Sequence, residues 1–314
     1  MRVVLCSGYG PAEEVLRIAE RPDPAAAPDG IVVSLRAAPV SRADLRIRTA
    51  DFPRGFSVPG RLALGWRGPR QPVLGAIGTG VVAAVGRSVR GWREGDPVVL
   101  TTGMRMGCHA ELVALPANAA VVPKPASLDW AEAAALPFGA MTALHFLTRA
   151  GVEAGKTVLV IGAAGAVGLA AVQIAALAGA EVTAVARSEH HALLSDLGAA
   201  ATIPVGAVPT ARYDLVLDAA GLLGPRSVQR LLRPDGRHLA VAADLPLTLR
   251  AMLDRQTLAG PAPDSRDSLR SVLDLAEAGR LRPVIDRTYP LVHASSAHRR
   301  AETPGRMGSV ILLS

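Results

Sequence analysis

The chain has 314 residues, of which 50% are hydrophobic, 19% charged and only 3% aromatic, and its formal net charge is +7. This length and hydrophobic fraction allow two domains with sizeable cores. The positive charge does not indicate a nucleic-acid surface, because the arginines are spread along the chain and stacking aromatics are scarce. Binding of an anionic cofactor or substrate explains part of the positive charge better.

Short β-type runs punctuated by glycine and proline fill the chain up to about Pro123. They read RVVLC, GIVVSLRAAPV, GVVAAVG, DPVVLTT and AELVALP. Strands of this length at this spacing predict a compact β-barrel-like domain.

Strands alternate with helices in the middle of the chain. The predicted strands are TVLVIG, EVTAVA, YDLVLDAAG and RHLAVAA, and the predicted helices start near Val167 or cover HHALLSDLG and SVQRLLRPDG. This α/β alternation predicts a doubly wound parallel sheet. The tail adds a helix, SRDSLRSVLDLAEAGR, and a short strand, GSVILLS, which we expect to pair with one of the sheets because it cannot stand alone.

The segment from Thr157 to Ala180 is almost entirely apolar and has about the length that spans a bilayer. Its glycines argue against a membrane helix, because Gly162, Gly165 and Gly168 separate a β-branched run from an Ala/Leu run. Parallel strands covered on both faces also read as unbroken hydrophobic runs. We therefore predict a strand, a tight turn and a helix.

The same glycines predict a dinucleotide site. The first lets the chain reverse, the middle position brings the backbone close to a pyrophosphate, and the last lets helix and strand pack closely. The free N–H groups at the start of the helix then face an anion. Ala164 interrupts the more familiar GxGxxG pattern, so a packing turn is the alternative, but the strand-turn-helix-strand context favours a nucleotide. The predicted cofactor-binding residues of this turn are Gly162, Ala163, Ala164, Gly165, Ala166, Val167 and Gly168.

The end of the second parallel strand favours NADPH over NADH. NAD sites place an Asp or Glu there for the ribose hydroxyls, whereas this strand ends in Arg187 and Ser188, with His190 on the next turn. An arginine offers a charge and a fork of donors that match a 2′-phosphate. The alternative is that Arg187 is a solvated surface residue.

Seven segments along the chain carry a family resemblance: VSRADLR, VLGAIGTGVVAAVGRSVRGWREGDPVV, GCHAELVALP, AAALPFGAMTALHFL, GKTVLVIGAAGAVGLAAVQIA, YDLVLDAAG and GRLRPVIDRTYPL. In them the chain resembles the zinc-independent branch of the medium-chain dehydrogenase/reductase superfamily, the quinone oxidoreductase-like and enoyl reductase-like proteins. The resemblance implies a GroES-like β-barrel-type catalytic domain over residues 1–122, completed by 263–314, and a Rossmann domain over 123–262.

The resemblance also bears on metal. It puts the zinc-ligand positions of the superfamily's alcohol dehydrogenases at Ser41, Ala76, Ile77 and Phe138, and none of these is a usual Zn²⁺ ligand. The histidines that remain as possible ligands, His109, His190 and His191, have no partner at a usable spacing. Two cysteines, Cys6 and Cys108, cannot form the family's four-cysteine lobe. We predict a protein without metal and, from the cysteine usage, a cytoplasmic one.

Without metal, the cofactor must carry the chemistry, and the resemblance implies hydride transfer to a quinone or to an activated C=C bond of a small molecule. The tyrosine that donates to the developing oxyanion in enoyl reductases is Phe52 here. Substrate-side candidates that replace its hydroxyl are Ser41, Arg46 and Arg48, unless a backbone N–H or water does so. Asp44 is expected to fix its loop. The resemblance adds Thr142, Ala219, Ala220 and Val241 to the cofactor-binding residues.

Two further alternatives stay open from the sequence: a tailoring enzyme acting on a bulky natural-product intermediate, with or without net redox change, and a non-enzymatic NADPH-binding protein. The resemblance also implies a homodimer formed by edge strands of two Rossmann sheets, near RQTLAGPAP. Pro261 and Pro263 could instead blunt that edge and leave a monomer.

Overall fold

The computed structural model describes residues 1–207 and 209–314. The strands are β1 (Arg2–Cys6), β2 (Leu16–Glu20), β3 (Gly30–Val40), β4 (Ile77–Val85), β5 (Pro97–Thr101), β6 (Leu112–Pro116), β7 (Ala120–Pro123), β8 (Thr157–Ile161), β9 (Glu181–Ala186), β10 (Ala201–Pro204), β11 (Tyr213–Asp218), β12 (Leu232–Ala240), β13 (Thr257–Ala259), β14 (Ile285–Pro290) and β15 (Ser309–Leu313). The α-helices are α1 (Ala12–Val15), α2 (Arg42–Thr49), α3 (Ser57–Leu64), α4 (Trp130–Ala135), α5 (Pro137–Ala150), α6 (Ala166–Leu177), α7 (His191–Asp196), α8 (Pro225–Leu231), α9 (Leu245–Ala251), α10 (Arg266–Glu277) and α11 (Ala294–Glu302).

A six-stranded parallel sheet forms one layer, in the order β10-β9-β8-β11-β12-β13. Every neighbouring pair in it is parallel. The chain fills one half of the sheet outward from β8 and then returns to start the other half at β11. This parallel strand order confirms the predicted Rossmann fold. Ligands of such sheets bind outside the carboxyl ends of the strands at the point where the strand order reverses. The glycine turn directly follows β8, one of the two strands at that point.

A second large sheet is mostly antiparallel and has the order β14-β15-β3-β4-β5-β7, with β6 also paired to β3; β1 and β2 form a separate two-stranded sheet. Both ends of the chain contribute to the second large sheet, because β15 pairs with β3 from Val310 opposite Val40 to Leu313 opposite Ala37. The C-terminal strand therefore returns to an existing sheet, as the sequence predicts, and the predicted combination of a barrel-type sheet with a Rossmann sheet is confirmed.

The long apolar stretch divides into β8 and α6, which has 12 residues. Both are buried within the protein, since Val158, Leu159, Ala171 and Val172 are fully buried. Within residues 1–207 and 209–314, no helix is long and apolar enough to cross a membrane. The hydrophobicity of this segment thus reflects burial on all sides by protein.

One predicted helix extends too far. The sequence analysis assigned SVQRLLRPDG to a helix, but α8 ends at Leu231 and the chain continues as β12, with Leu232 opposite Tyr213. Proline lacks an N–H and disfavours the α conformation of the residue before it, here Arg233, so the helix cannot run through Pro234. The prediction for residues 232–236 was therefore wrong.

Candidate functional site

The glycine turn between β8 and α6 has two kinds of glycine. Gly162 has a positive φ of +77°, and a Cβ on Gly168 would lie 2.3 Å from the carbonyl oxygen of Gly162, so backbone geometry and packing require both. Gly165 differs, because its φ is −78° and, among the described residues, a Cβ there would meet only the Gly162 oxygen, at 3.5 Å. Its missing side chain keeps open the space in front of the helix.

No side chain caps the N-terminus of α6, where Gly165 is the N-cap residue. The first N–H groups of a helix have no partner within it, so these remain available to an anion. The turn is held from behind by α5, since a Cβ on Gly139 would lie 2.3 Å from the Ala166 oxygen. The same helix presents Thr142, whose hydroxyl donates to the Phe138 oxygen at 2.8 Å.

A cavity of about 350 Å³ opens in front of this turn. We call it the glycine-turn cavity. Its walls are the turn, the two residues that follow β11 (Ala219 and Ala220), the start of α2, and the segment 301–309 that leads into the last strand. Three arginines line it, Arg42, Arg46 and Arg306. Burial, followed by the positive charge of Arg42, lowers the pKa of Arg306, and such desolvated cations favour an anionic ligand.

The sequence analysis missed Arg42 and Arg306 as cavity residues. Arg42 opens α2 directly after Ser41, a residue that the sequence analysis did single out. Arg306 comes from the tail, far along the chain from the glycine turn, and no local pattern indicates that the tail closes the cavity.

A second cavity, of about 620 Å³, joins the first. We call it the apolar cavity, because its lining is mainly aliphatic, aromatic, methionine and glycine residues. Six predicted site residues line it together: Arg46, Phe52, Thr142, Val167, Ala219 and Val241. The two cavities share the lining residues Arg42, Arg46, Phe138, Val167 and Ala219. A ligand at the glycine turn would therefore continue directly into the apolar cavity.

Arg46 is the predicted donor candidate that lies at this junction. It is half-buried on α2. Burial, followed by the charge of Arg42, lowers its pKa, against an opposing contribution from Asp51. In the part of the chain that the structure describes, Arg46 takes part in none of the ion pairs. Its guanidinium is thus a cation that a ligand can engage.

Two other donor candidates do not face the apolar cavity. Arg48 is fully buried, donates to the Gly10 oxygen and pairs with Glu302, so its assignment to the substrate side was wrong. Ser41 caps α2 and its hydroxyl donates to Asp44 at 2.6 Å; it lines the glycine-turn cavity instead.

Asp44 has the structural position that the sequence analysis expected. Its carboxylate accepts from the Ser41 backbone N–H and from the Gly75 N–H, each at 2.8 Å. These bonds tie the start of α2 to the segment before β4.

The residues after β9 lie at the edge of the site, with His190 buried and the three residues before it exposed. The Arg187 side chain is 47% exposed, and its Nη1 lies 3.9 Å from Oε1 of Glu189. The same oxygen lies 3.5 Å from Nε2 of His190. A Cβ on Gly305 would lie 2.7 Å from Arg187 Nη1, so this arginine reaches the tail segment that closes the glycine-turn cavity. Glu189, which the sequence analysis missed, adds a carboxylate beside it, and Ser188 is exposed.

The positions of the superfamily's zinc ligands are apolar where they line the apolar cavity, namely Ala76, Ile77 and Phe138. Among the described residues, no group of three or more His, Cys, Asp or Glu side chains has the arrangement of a metal site. Cys108 is fully buried, and burial raises the pKa of its thiol to about 12. That thiol is therefore an inert part of the core.

Two family models match the chain: the alcohol dehydrogenase GroES-like domain over residues 27–126 and the zinc-binding dehydrogenase model over residues 190–312. Together they cover more than half of it. The quinone oxidoreductase of Coxiella burnetii is similar in structure, with a TM-score of 0.87 and 26% identity over 100% of this chain and 99% of that one.

Two curated relatives are similar in sequence. The spectinabilin polyketide synthase system protein NorB of Streptomyces orinoci is 36% identical over 77% of this chain, which spans only 12% of that protein's length. The chloroplastic NADPH-dependent alkenal/one oxidoreductase of Arabidopsis thaliana is 27% identical over 90% of this chain and 72% of its own length.

Proposed function

The chain belongs to the medium-chain dehydrogenase/reductase superfamily, and from this premise we propose that it is an NADPH-dependent reductase that works without zinc and transfers hydride to a quinone or to an activated C=C bond of a small apolar molecule. The observation that carries the proposal is the junction of two cavities at Arg46. One cavity has the backbone N–H groups and arginines that suit a dinucleotide, and the other has the apolar walls that suit the substrate.

The residues in and beside the glycine-turn cavity are of the types that bind NADPH. The N-terminus of α6 together with Arg42 and Arg306 suits the pyrophosphate, since N–H groups and cations converge there. Arg187 suits the 2′-phosphate. When bound, NADPH supplies the hydride. The name of the Arabidopsis relative includes the same cofactor, which supports this choice.

In the apolar cavity, hydride transfer requires that the substrate is aligned with the cofactor and that one hydrogen-bond donor faces its carbonyl oxygen. Hydride addition to a conjugated carbonyl system leaves negative charge on oxygen, and a guanidinium N–H held in an apolar, water-poor cavity stabilises that charge strongly. Arg46 supplies such a donor where Phe52, one of the phenylalanines of the cavity, has no hydroxyl. Zinc is not needed for this chemistry, and we expect elemental analysis of the purified protein to find less than stoichiometric zinc.

The test is NADPH consumption with 9,10-phenanthrenequinone and 4-phenyl-3-buten-2-one. Arg46→Met should lower kcat about 100-fold for whichever probe is reduced, as expected for one lost oxyanion donor. Arg270→Met, which removes an exposed arginine of α10, is the control. Equal activity of the two variants would contradict the role of Arg46, and the absence of turnover despite NADPH binding would leave the non-enzymatic alternative.

A second candidate rests on the 36% identity to a segment of a polyketide synthase protein. In that case the chain would act on a bulky natural-product intermediate, and the apolar cavity would hold part of it. Comparing 4-phenyl-3-buten-2-one with an N-acetylcysteamine enoyl thioester would distinguish the two. Turnover of the thioester alone would favour the second candidate.

We also propose a homodimer through β13. This three-residue strand ends the parallel sheet, so one side of it offers ladder groups to a second copy. Light scattering at tens of micromolar should give twice the mass of the chain. A monomeric mass there would contradict the dimer.

A further inference from the structure

One acidic residue of the apolar cavity has no part in the proposed reaction. Asp264 lies in the loop between β13 and α10 and lines the cavity with Arg42 and Arg46, which are the other charged residues of its lining. Hydride transfer requires a donor to the developing oxyanion, and a carboxylate is an acceptor. Asp264 therefore calls for a different role.

Thr101 and Gly103 are neighbours of the Asp264 carboxylate. The hydroxyl of Thr101 donates to Oδ1 of Asp264 at 3.5 Å, and Thr101 itself is held by the Gly103 N–H at 3.3 Å. Gly103 has a φ of +54°, and a Cβ there would lie 3.1 Å from Oδ2 of Asp264. A glycine at this position thus leaves room for the second carboxylate oxygen.

The charge of Asp264 lacks a counter-ion. Among the described residues, no arginine, lysine or histidine forms an ion pair with it. Burial raises the pKa of its carboxyl, and the Thr101 hydrogen bond opposes this. Although its carboxyl is partly desolvated, the Asp264 residue as a whole is solvent-exposed. Its carboxylate is therefore accessible to a ligand, and a ligand that donates a hydrogen bond to it forms a charge-assisted bond.

Thr101 places the carboxylate beside the start of β4, where two further residues of the cavity lining lie. It is the last residue of β5 and pairs with Ile77 of β4, and the next residue, Thr102, donates its N–H to the Ala76 oxygen at 2.7 Å. Ala76 and Ile77 line the same cavity.

We propose that Asp264 selects the substrate by accepting a hydrogen bond from a hydroxyl or ammonium group on it. This inference rests on the proposed function and narrows it: the substrate is an apolar quinone or enone that carries a hydrogen-bond donor away from the carbonyl that Arg46 engages. The carboxylate is a positioning and specificity residue and takes no proton in the reaction.

The test compares three enones that differ only in the para substituent: 4-phenyl-3-buten-2-one, its 4-hydroxyphenyl analogue and its 4-(aminomethyl)phenyl analogue. We expect the unmodified protein to give a kcat/KM about tenfold higher for at least one donor-bearing probe than for the plain one, through KM, since a hydrogen bond to a charged group has about that value. The hydroxyl and ammonium arms separate the two kinds of donor.

Asp264→Asn should bring the ratio of kcat/KM between donor-bearing and plain probes to about one, because the uncharged amide loses the charge-assisted bond. Asp267→Asn, an exposed position three residues on, is the matched control and should keep the preference. If Asp264→Asn has the melting temperature and the NADPH affinity of the unmodified protein, a folding defect is excluded. A preference that persists in Asp264→Asn, or is missing in the unmodified protein, overturns the inference.

Failure of the proposed function is detected separately. Calorimetry with the saturated ketones 4-phenyl-2-butanone and 4-(4-hydroxyphenyl)-2-butanone, which cannot be reduced at a C=C bond, measures recognition without turnover. If no enone is reduced but the hydroxylated ketone binds about tenfold more tightly in an Asp264-dependent way, the reductase proposal fails and the recognition site stands. Equal binding of the plain ketone, the hydroxylated ketone and 4-(4-(aminomethyl)phenyl)-2-butanone would overturn the recognition site.

Discussion

The two cavities share lining residues but are built differently. The glycine-turn cavity is lined by five residues of one short turn, Gly162, Gly165, Ala166, Val167 and Gly168, together with arginines from α2 and the tail. The apolar cavity is made of side chains from α2, α3, α5 and the loop after β13, which are far apart in the chain. A backbone site can therefore be identified from a short sequence motif, whereas a side-chain site depends on how distant elements pack.

The largest expected effect tests the backbone site. Gly168→Ala should lower the free energy of unfolding by about 3 kcal/mol, because the new Cβ would lie 2.3 Å from the Gly162 oxygen and 2.6 Å from the Ala163 Cα. These are backbone atoms that cannot rotate away. Urea unfolding followed by circular dichroism measures the change.

Gly165→Ala is the matched control for that comparison. Its Cβ meets only the Gly162 oxygen, at 3.5 Å, among the described residues, so stability should stay within about 0.5 kcal/mol. NADPH affinity should nevertheless fall about tenfold, because the methyl group occupies the space of the ligand. Equal destabilisation by the two substitutions would remove the distinction between a packing glycine and a ligand glycine.

The next prediction concerns the edge of the cofactor site. Arg187→Asp should weaken NADPH binding by about 1.5 kcal/mol through loss of a charge-assisted contact, and should change NADH binding little. Glu189→Gln removes the carboxylate 3.9 Å from Arg187 and should strengthen NADPH binding. Isothermal titration with both cofactors measures these changes. The same loss for NADH and NADPH would rule out the phosphate role.

The side-chain site can be tested by restoring the missing hydroxyl. Phe52 lines the apolar cavity, so Phe52→Tyr in the Arg46→Met background should recover activity about tenfold, a modest share of what a well-placed oxyanion donor supplies. Steady-state kcat with 9,10-phenanthrenequinone measures the recovery. Phe52→Leu in the same background is the control, and equal activity of the two double variants would show that the tyrosine hydroxyl does not reach the substrate.

The smallest effect concerns a buried pair behind α2. The rings of His109 and His298 meet edge to face, with centroids 5.5 Å apart, and both residues are fully buried. Burial, followed by the charges of His109 and Arg48, holds the pKa of His298 well below its usual 6.5. Below pH 6.5 the unfolded chain therefore binds a proton that the folded protein does not.

Stability should accordingly be intact above pH 6.5 and decline as the pH falls from 6.5 towards the folded pKa, with one histidine contributing up to about 1.4 kcal/mol per pH unit. His298→Leu should reduce the slope of stability against pH between 6.5 and 5, whatever it does to stability at pH 7.5. His293→Gln, at an exposed position, is the control. An unchanged slope in His298→Leu would contradict this assignment.

The limits of those elements whose sequence contains an unbroken apolar run or a glycine turn were predicted closely. β3 and β9 have the predicted limits, and α6 begins one residue before Val167, because unbroken apolar runs and a glycine turn determine them locally. α3 and α9 were not predicted. Neither helix has a buried residue, so neither shows the apolar periodicity on which a prediction from sequence depends.

The amino-acid sequence by itself predicted the α/β class and the glycine turn from local composition and spacing, and its family resemblance pointed to the arginines after Ser41. Only the tertiary structure distinguished Arg46 from Arg48. Two residues apart on a helix, they point about 200° from each other; one lines the cavities and the other is buried against Glu302. Arg306 and Asp264 likewise reach the site through the return of the tail and the loop after β13. Such contacts depend on packing between distant segments, which no local pattern encodes.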